Sequence, residues 1–330
     1  SGLLTTIYFV AYLERGALGK IEAACLISVV FSLISLLILK PKSPFILSKK
    51  RIMNSLAYGL PLVPHAIAGL ANDVADRLII THFLGFASTG IYSMGYQIAF
   101  VGTVIASSLN QALSPVFIKT MKQIESSEAT DTQNIENLKN EVTKNGLMLI
   151  VISGISCLMI TAYARNLLEL LTNNQFSDSW KIVPIVSAGI IATSVYFAFS
   201  QSIFYHKKSI RLLPVLTILT VLVNITGNYI FVPIYGIVGA AWSTVMSNSF
   251  LALFALILAQ KILPLPYNFK KLFLVLTFLY LGLISLWMVD DYIPELIIGI
   301  SIKTLIVFIF VGLTIMFSGL RAEIKQKLAL

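Results

Sequence analysis

Apolar residues run along this chain in blocks of roughly 20, the length at which an α-helix crosses the hydrocarbon core of a bilayer. Short polar turns separate the blocks. About ten are legible, at 1–13, 20–40, 52–81, 87–117, 144–170, 180–204, 209–232, 236–260, 271–289 and 293–318. The 52–81 block is long for one crossing, so it is expected to tilt, to kink at Pro61 and Pro64, or to extend beyond the bilayer. No stretch alternates polar and apolar residues as an outer-membrane barrel strand does. The pattern predicts an all-α polytopic membrane protein. Composition agrees: 57% of the 330 residues are hydrophobic and 12% are charged, about half the charged share of a soluble domain. That much apolar chain also exceeds what one soluble core accommodates.

The net charge of +9 would suggest nucleic acid on a soluble protein. Here the basic residues sit in every second turn, which makes them a topology signal. Lys40, Lys42, Lys49, Lys50 and Arg51 fill one such turn. Lys207, Lys208 and Arg211 fill another, and Lys261, Lys270 and Lys271 a third. Arg321, Lys325 and Lys327 mark the tail, and Lys119, Lys122, Lys139 and Lys144 flank 118–143. The turns at 82–88 and 232–237 lack basic residues, and 290–295 carries Asp290, Asp291 and Glu295. The positive-inside rule therefore places the basic turns and the C-terminus in the cytoplasm, with no role for nucleic acid. Within 118–143, Ile135, Leu138 and Val142 recur at helical spacing after Thr132. They predict either a short amphipathic helix on the cytoplasmic face or a solvated loop. Cys25 and Cys157 fall inside apolar blocks and are expected to be small buried hydrophobes.

Residues 2–12 read as the tail of a spanning helix, so a preceding N-terminal part is expected. The turn Gly16-Ala17-Leu18-Gly19 and the turn Gly236-Ile237-Val238-Gly239 each precede a span and occupy matching topological positions. Paired glycines let the backbone reverse and helices approach closely. Their recurrence suggests two parallel repeats, as in two-lobed transporters.

Charged residues within a span cost roughly 2.5–3.5 kcal/mol at its centre on insertion scales and therefore need a reason. The run Asn72-Asp73-Val74-Ala75-Asp76-Arg77 is the clearest case. Asp73 and Arg77, four apart, lie on one helical face and can pair, with Asp76 beside them. Arg77 would present a guanidinium to a phosphate or sugar while a carboxylate holds it. A carboxylate here would alternatively bind a coupling ion, H⁺ or Na⁺, or the cluster would simply sit at the outer interface. His65, Gln97, Asn110, Gln111, Gln201, Asn224 and Asn228 place polar groups on further spans. They read singly as interhelical hydrogen bonds and together as the lining of a wet cavity that accepts sugar hydroxyls. Tyr92, Tyr96, Tyr196 and Trp242 either stack on sugars or anchor span ends. Lys119 and Lys208 either steer an anionic headgroup or only mark topology. Asp290-Asp291 stands alone in a short outer turn. His65, His82 and His206 show no metal spacing, and no nucleophile elbow or phosphate loop occurs. No cofactor and no enzyme activity are expected.

The runs Leu60-Pro61-Leu62-Val63-Pro64, Asp76-Arg77-Leu78-Ile79-Ile80, Leu84-Gly85 and Thr89-Gly90-Ile91-Tyr92-Ser93 resemble the opening of the second lobe of polysaccharide flippases. Asn224-Ile225-Thr226-Gly227-Asn228, Pro233-Ile234-Tyr235-Gly236, Gly239-Ala240-Ala241 and Thr244 are similar to that family's C-terminal region. The resemblance runs over about 50–260. It is to Wzx-type O-antigen or capsule-unit flippases of the multidrug/oligosaccharidyl-lipid/polysaccharide exporter superfamily. It implies two six-helix lobes around a V-shaped cavity, of which this chain would hold the second plus two extra helices. Residues 1–40 would end the first lobe, 41–51 would link the lobes, 52–262 would form the second, and 263–330 would add two helices and a cytoplasmic tail. The implied activity is transfer of an undecaprenyl-diphosphate-linked oligosaccharide from the inner to the outer leaflet of the bacterial cytoplasmic membrane, in polysaccharide or lipopolysaccharide synthesis. Lipid-linked oligosaccharide and membrane lipid would be its partners. Arg77 matches the family's Asp-Arg position. An ion-coupled drug or cation exporter and a polysaccharide polymerase are the rival readings.

Overall fold

A computed structural model describes residues 5, 8–12, 15–39, 48–60, 62–126, 132–172, 176–206, 209–293 and 296–319. Helices account for nearly all of them: α1 (Gly16–Leu39), α2 (Lys49–Gly59), α3 (Leu62–Ser126), α4 (Thr132–Thr172), α5 (Val183–Tyr205), α6 (Leu212–Tyr235), α7 (Ile237–Ile262), α8 (Phe269–Tyr292) and α9 (Leu296–Ser318). There is no strand among the described residues. Among the described residues, eight helices are long and apolar enough to cross a membrane. One of them, α3, contributes two crossings, because Gly85 at φ +82° and ψ 177° leaves the helical region and the chain folds back there. Only glycine adopts that φ without strain. The reversal brings Thr81 Oγ1 within 2.8 Å of Thr89 Oγ1. Most of the expected 1–13 span lies outside the described residues.

The chain divides into two compact units, residues 1–56 and 57–330. In the first, a short π-helical turn (Tyr8–Tyr12) leads into α1. Large apolar side chains on α1, from Leu18 to Ile38, are exposed all round the helix, as for a helix whose solvent is lipid. Cys25 is on that exposed surface, not buried as expected, whereas Cys157 is buried.

In the second unit α5 is the central helix, buried on most sides. Small residues such as Gly189, Ala192, Ser194 and Ala198 let α3, α4 and α7 close on it, which is how helices associate without a hydrophobic driving force. α6 packs on α7 and α3, and the α8–α9 hairpin packs on α4. The long apolar block at 52–81 is broken: α2 stops at Gly59 and α3 begins at Leu62, where Pro61 and Pro64 were expected to kink the chain. In the polar segment 118–143, residues 127–131 lie outside the described ones, and the rest belongs to longer helices. Its two ends continue α3 to Ser126 and open α4 at Thr132. These extensions bury Phe117, Met121 and Val142 against Leu265, with Tyr205 and Tyr267 alongside. The same small core gathers the basic ends of α3, α4, α5 and α8 at one end of the unit.

The paired-glycine turns have a shared physical basis. A Cβ on Gly19 would stand 2.7 Å from the Phe9 carbonyl oxygen, and one on Gly239 would stand 2.3 Å from the Phe231 carbonyl oxygen. In both units the second glycine of Gly-x-x-Gly lets a new helix start against the main chain of an aromatic residue just before the turn.

Candidate functional site

Asn72 and Asp76 lie one turn apart on α3, on the face turned into the second unit. Asp76 is 3% exposed. Its carboxylate accepts hydrogen bonds from Tyr92 Oη at 2.7 Å, Asn228 Nδ2 at 2.7 Å and Thr244 Oγ1 at 2.8 Å. The fold-back at Gly85 delivers Tyr92, α6 delivers Asn228, and α7, after its glycine turn, delivers Thr244. Nine residues separate Asp76 from Gly85, which places the carboxylate about 13 Å below that end of the helix. All three donors are neutral. Among the described residues no ammonium or guanidinium reaches ion-pair distance of Asp76. Asn228 Nδ2 also bonds the Asn224 carbonyl and Asn224 Oδ1. Asn228 Oδ1 and Asn224 Nδ2 are buried and find no partner among the described residues, although buried polar atoms are normally satisfied. The cluster thus pairs a buried carboxylate oxygen with an uncommitted amide oxygen.

Arg77 points to a different side of the helix. Half-buried, it donates from Nε to Ser93 Oγ at 3.3 Å, and its guanidinium lies 5.1 Å from the Tyr96 ring centre, a cation–π distance. The expected Asp73–Arg77 pair is not described, because the Asp73 side chain lies outside the described residues. Tyr96 also lines a cavity of about 290 Å³ with Asn72, Thr103, Tyr196, Thr220 and Thr244. Hydroxyl and amide groups on four helices, α3, α5, α6 and α7, face it, and Asn72 Oδ1 is buried there without a hydrogen-bond partner among the described residues. Thr244 belongs to both the cavity wall and the Asp76 cluster.

The remaining expected residues are scattered. His65 bonds Thr217 Oγ1 through Nδ1. Gln201 Nε2 donates to Asn110 Oδ1 at 2.6 Å, and both line a separate water-sized cavity nearer the basic end. Those pairs fit the interhelical reading. Gln97 and Gln111 are exposed, on the face of α3 away from the core. Tyr92 and Tyr196 are buried, and Trp242 is exposed. Lys119 is exposed at the basic end, and Lys208 lies outside the described residues. The structure therefore assembles Asp76 and Asn224, sets Arg77 beside them on another face, and separates His65, Gln97, Asn110 and Gln201 from them.

A second buried charged cluster went unread in the sequence. Asp290 does not stand in a turn but in the last turn of α8, 5% exposed. Lys303 of α9, 3% exposed, donates to Asp290 Oδ1 at 2.7 Å and to Asn166 Oδ1 of α4 at 3.0 Å. Arg165 donates to the Asp290 carbonyl, pairs with Glu169 at 3.0 Å and lies 5.4 Å from the Trp180 ring centre. A lone lysine inside an apolar span was the available signal. Outside the spans, burial pushes the Tyr267 hydroxyl well above its ordinary range.

Residues 3–121 match a family model described as polysaccharide biosynthesis protein. A protein of the Lsg locus of Haemophilus influenzae is 35% identical over 68 residues, covering 21% of this chain and 17% of that protein. A membrane protein of Methanocaldococcus jannaschii is 22% identical over 271 residues, 81% of this chain and 51% of its own length. The chain thus spans about half or less of these relatives. Among solved structures, the lipid II flippase MurJ in an inward closed conformation superposes with a TM-score of 0.64 at 18% identity, over 98% of this chain and 66% of that one. An outward-facing multidrug resistance MATE family transporter gives a TM-score of 0.58 at 18% identity, over 79% of this chain and 59% of that one. The fold is that of the MurJ and MATE transporters.

Proposed function

We propose that the chain belongs to a transporter, not an enzyme, that carries an undecaprenyl-diphosphate-linked oligosaccharide from the inner to the outer leaflet of a bacterial cytoplasmic membrane. Residues 52–262 would act as the second of two lobes that rock about the membrane midplane, with the C-terminus in the cytoplasm and O-antigen or lipopolysaccharide synthesis as its setting. A diphosphate headgroup faces a large desolvation penalty in hydrocarbon unless cations accompany it. Arg77, seated on Tyr96 beside a hydroxyl-lined cavity, would supply one. The observation that carries the reading is the Asp76 cluster: a buried carboxylate held only by neutral donors, next to an uncommitted amide oxygen. Such a site suits a coupling cation, H⁺ or Na⁺, that comes and goes as the lobes rock.

The test is a lipid-linked-sugar transport assay on the full-length protein. Arg77→Ala is expected to lower transport at least tenfold at normal expression, the scale of one lost charge-assisted contact. Unimpaired transport removes Arg77 from the mechanism. The same Asp76 site supports a second reading, an ion-coupled drug or cation exporter. Drug efflux that Asp76→Asn abolishes, with no lipid-linked units accumulating in the knockout, favours that alternative.

A further inference from the structure

The basic end of the second unit holds a cavity of about 240 Å³ that the transport reading does not use. Three elements form it: the start of α4 (Asn140, Thr143, Lys144, Leu147), the entry to α8 (Tyr267, Lys271, Leu272) and the end of α9 (Gly319). From this geometry we infer a binding site for the phosphate headgroup of an anionic membrane lipid.

Four features carry the inference. Two ammonium groups, those of Lys144 and Lys271, line the cavity, and no carboxylate is among its lining residues. Lys271 makes no hydrogen bond or ion pair through its ammonium among the described residues. Gly319, at φ +77°, stands where a Cβ would come within 3.1 Å of that ammonium, so the glycine keeps the cation open to the cavity. The cavity is also two-sided. Asn140 and Thr143 offer amide and hydroxyl groups, while Leu147, the buried Leu272 and the part-buried Tyr267 ring form an apolar wall. A free phosphate uses only the first side. A lipid uses both, with its phosphodiester on the lysines and its glycerol and upper acyl carbons on the apolar wall. The position agrees, since helix ends rich in lysine meet the headgroup layer of the cytoplasmic leaflet. The Asn268 side chain already caps the Lys271 amide, so the site depends on the ammoniums and not on the start of α8.

The experiment is lipid titration of the full-length protein in nonionic detergent, read by native mass spectrometry. The probes are phosphatidylglycerol, phosphatidylcholine and inorganic phosphate. The paired variant Lys144→Gln/Lys271→Gln is compared with Lys119→Gln/Lys122→Gln, which removes equal charge from the same end of the unit. The first pair is expected to weaken phosphatidylglycerol binding roughly thirtyfold, at about 1 kcal/mol per lysine, and the second to leave it within about twofold. Asn140→Trp, which covers the mouth without changing charge, is expected to weaken it as well. Equal losses in both pairs mean diffuse surface attraction and overturn the proposal. Phosphatidylcholine binding as tightly as phosphatidylglycerol overturns it too. Inorganic phosphate that competes fully at equal concentration makes this a soluble-anion site and overturns the lipid assignment.

Discussion

Asp76 and Asp290 are both buried carboxylates on helices of the same unit, yet they are balanced in opposite ways. Asp290 meets a resident ammonium at 2.7 Å, and Asn166 holds that ammonium from a third helix. Asp76 meets three neutral donors and an uncommitted amide oxygen. A charge balanced by a fixed partner is a fastener, and here it ties the α8–α9 hairpin to α4. A charge surrounded only by dipoles is solvated but not cancelled, because hydrogen bonds supply geometry without supplying the opposite sign. The contrast suits the first site to mechanical work and, on the proposed reading, the second to exchange of a small cation.

The contrast can be broken in order of expected effect. Lys303→Met strands the Asp290 carboxylate and is expected to cost about 3–5 kcal/mol, because one member of a buried pair is left uncompensated. Thermal unfolding in detergent measures it. Adding Asp290→Leu should recover most of that loss, since apolar pairs often replace buried ion pairs at little cost. No recovery would mean that the network does more than fasten. Asp76→Asn should leave the unfolding temperature within a few degrees, a change of about 1 kcal/mol or less, while abolishing coupled transport by the full-length protein. A collapse of stability equal to that of Lys303→Met would erase the distinction between the sites. Tyr92→Phe removes one of three donors, with an expected cost of about 1 kcal/mol. It should shift the cation concentration for half-maximal transport more than the maximal rate.

The helices and their basic turns were legible because a bilayer imposes a coarse rule, about 20 apolar residues per crossing. The rule fails where helices leave the hydrocarbon. The polar stretch at 118–143 looked like a separate element because its residues are wet, although α3 reaches into it as far as Ser126 and α4 opens within it at Thr132. Asp290 and Asp291 looked like a turn because two acidic residues ended an apolar run, and a single Lys303 did not interrupt the next one. Asp76 was legible as a charge out of place. Its partners were not, since Asn228 and Thr244 lie 152 and 168 residues away in sequence. Asn, Thr and Tyr are also ordinary residues for a membrane helix, and only the fold tells a ligand from a spacer. Gln97 shows the converse: a polar residue in a span is no pointer to an interior when its side of the helix faces outward.

The reversal at Gly85 has one more consequence. Asp76 and Tyr92 belong to one continuous stretch of backbone, nine residues before and seven after the bend, and their hydrogen bond closes that stretch like the jaws of a caliper. Opening the bend draws the hydroxyl off the carboxylate, and closing it restores the contact. On the proposed reading, the occupancy of the carboxylate and the angle between the two arms would be readings of one instrument, and a cation arriving at Asp76 would register as a change of helix angle without any intervening relay.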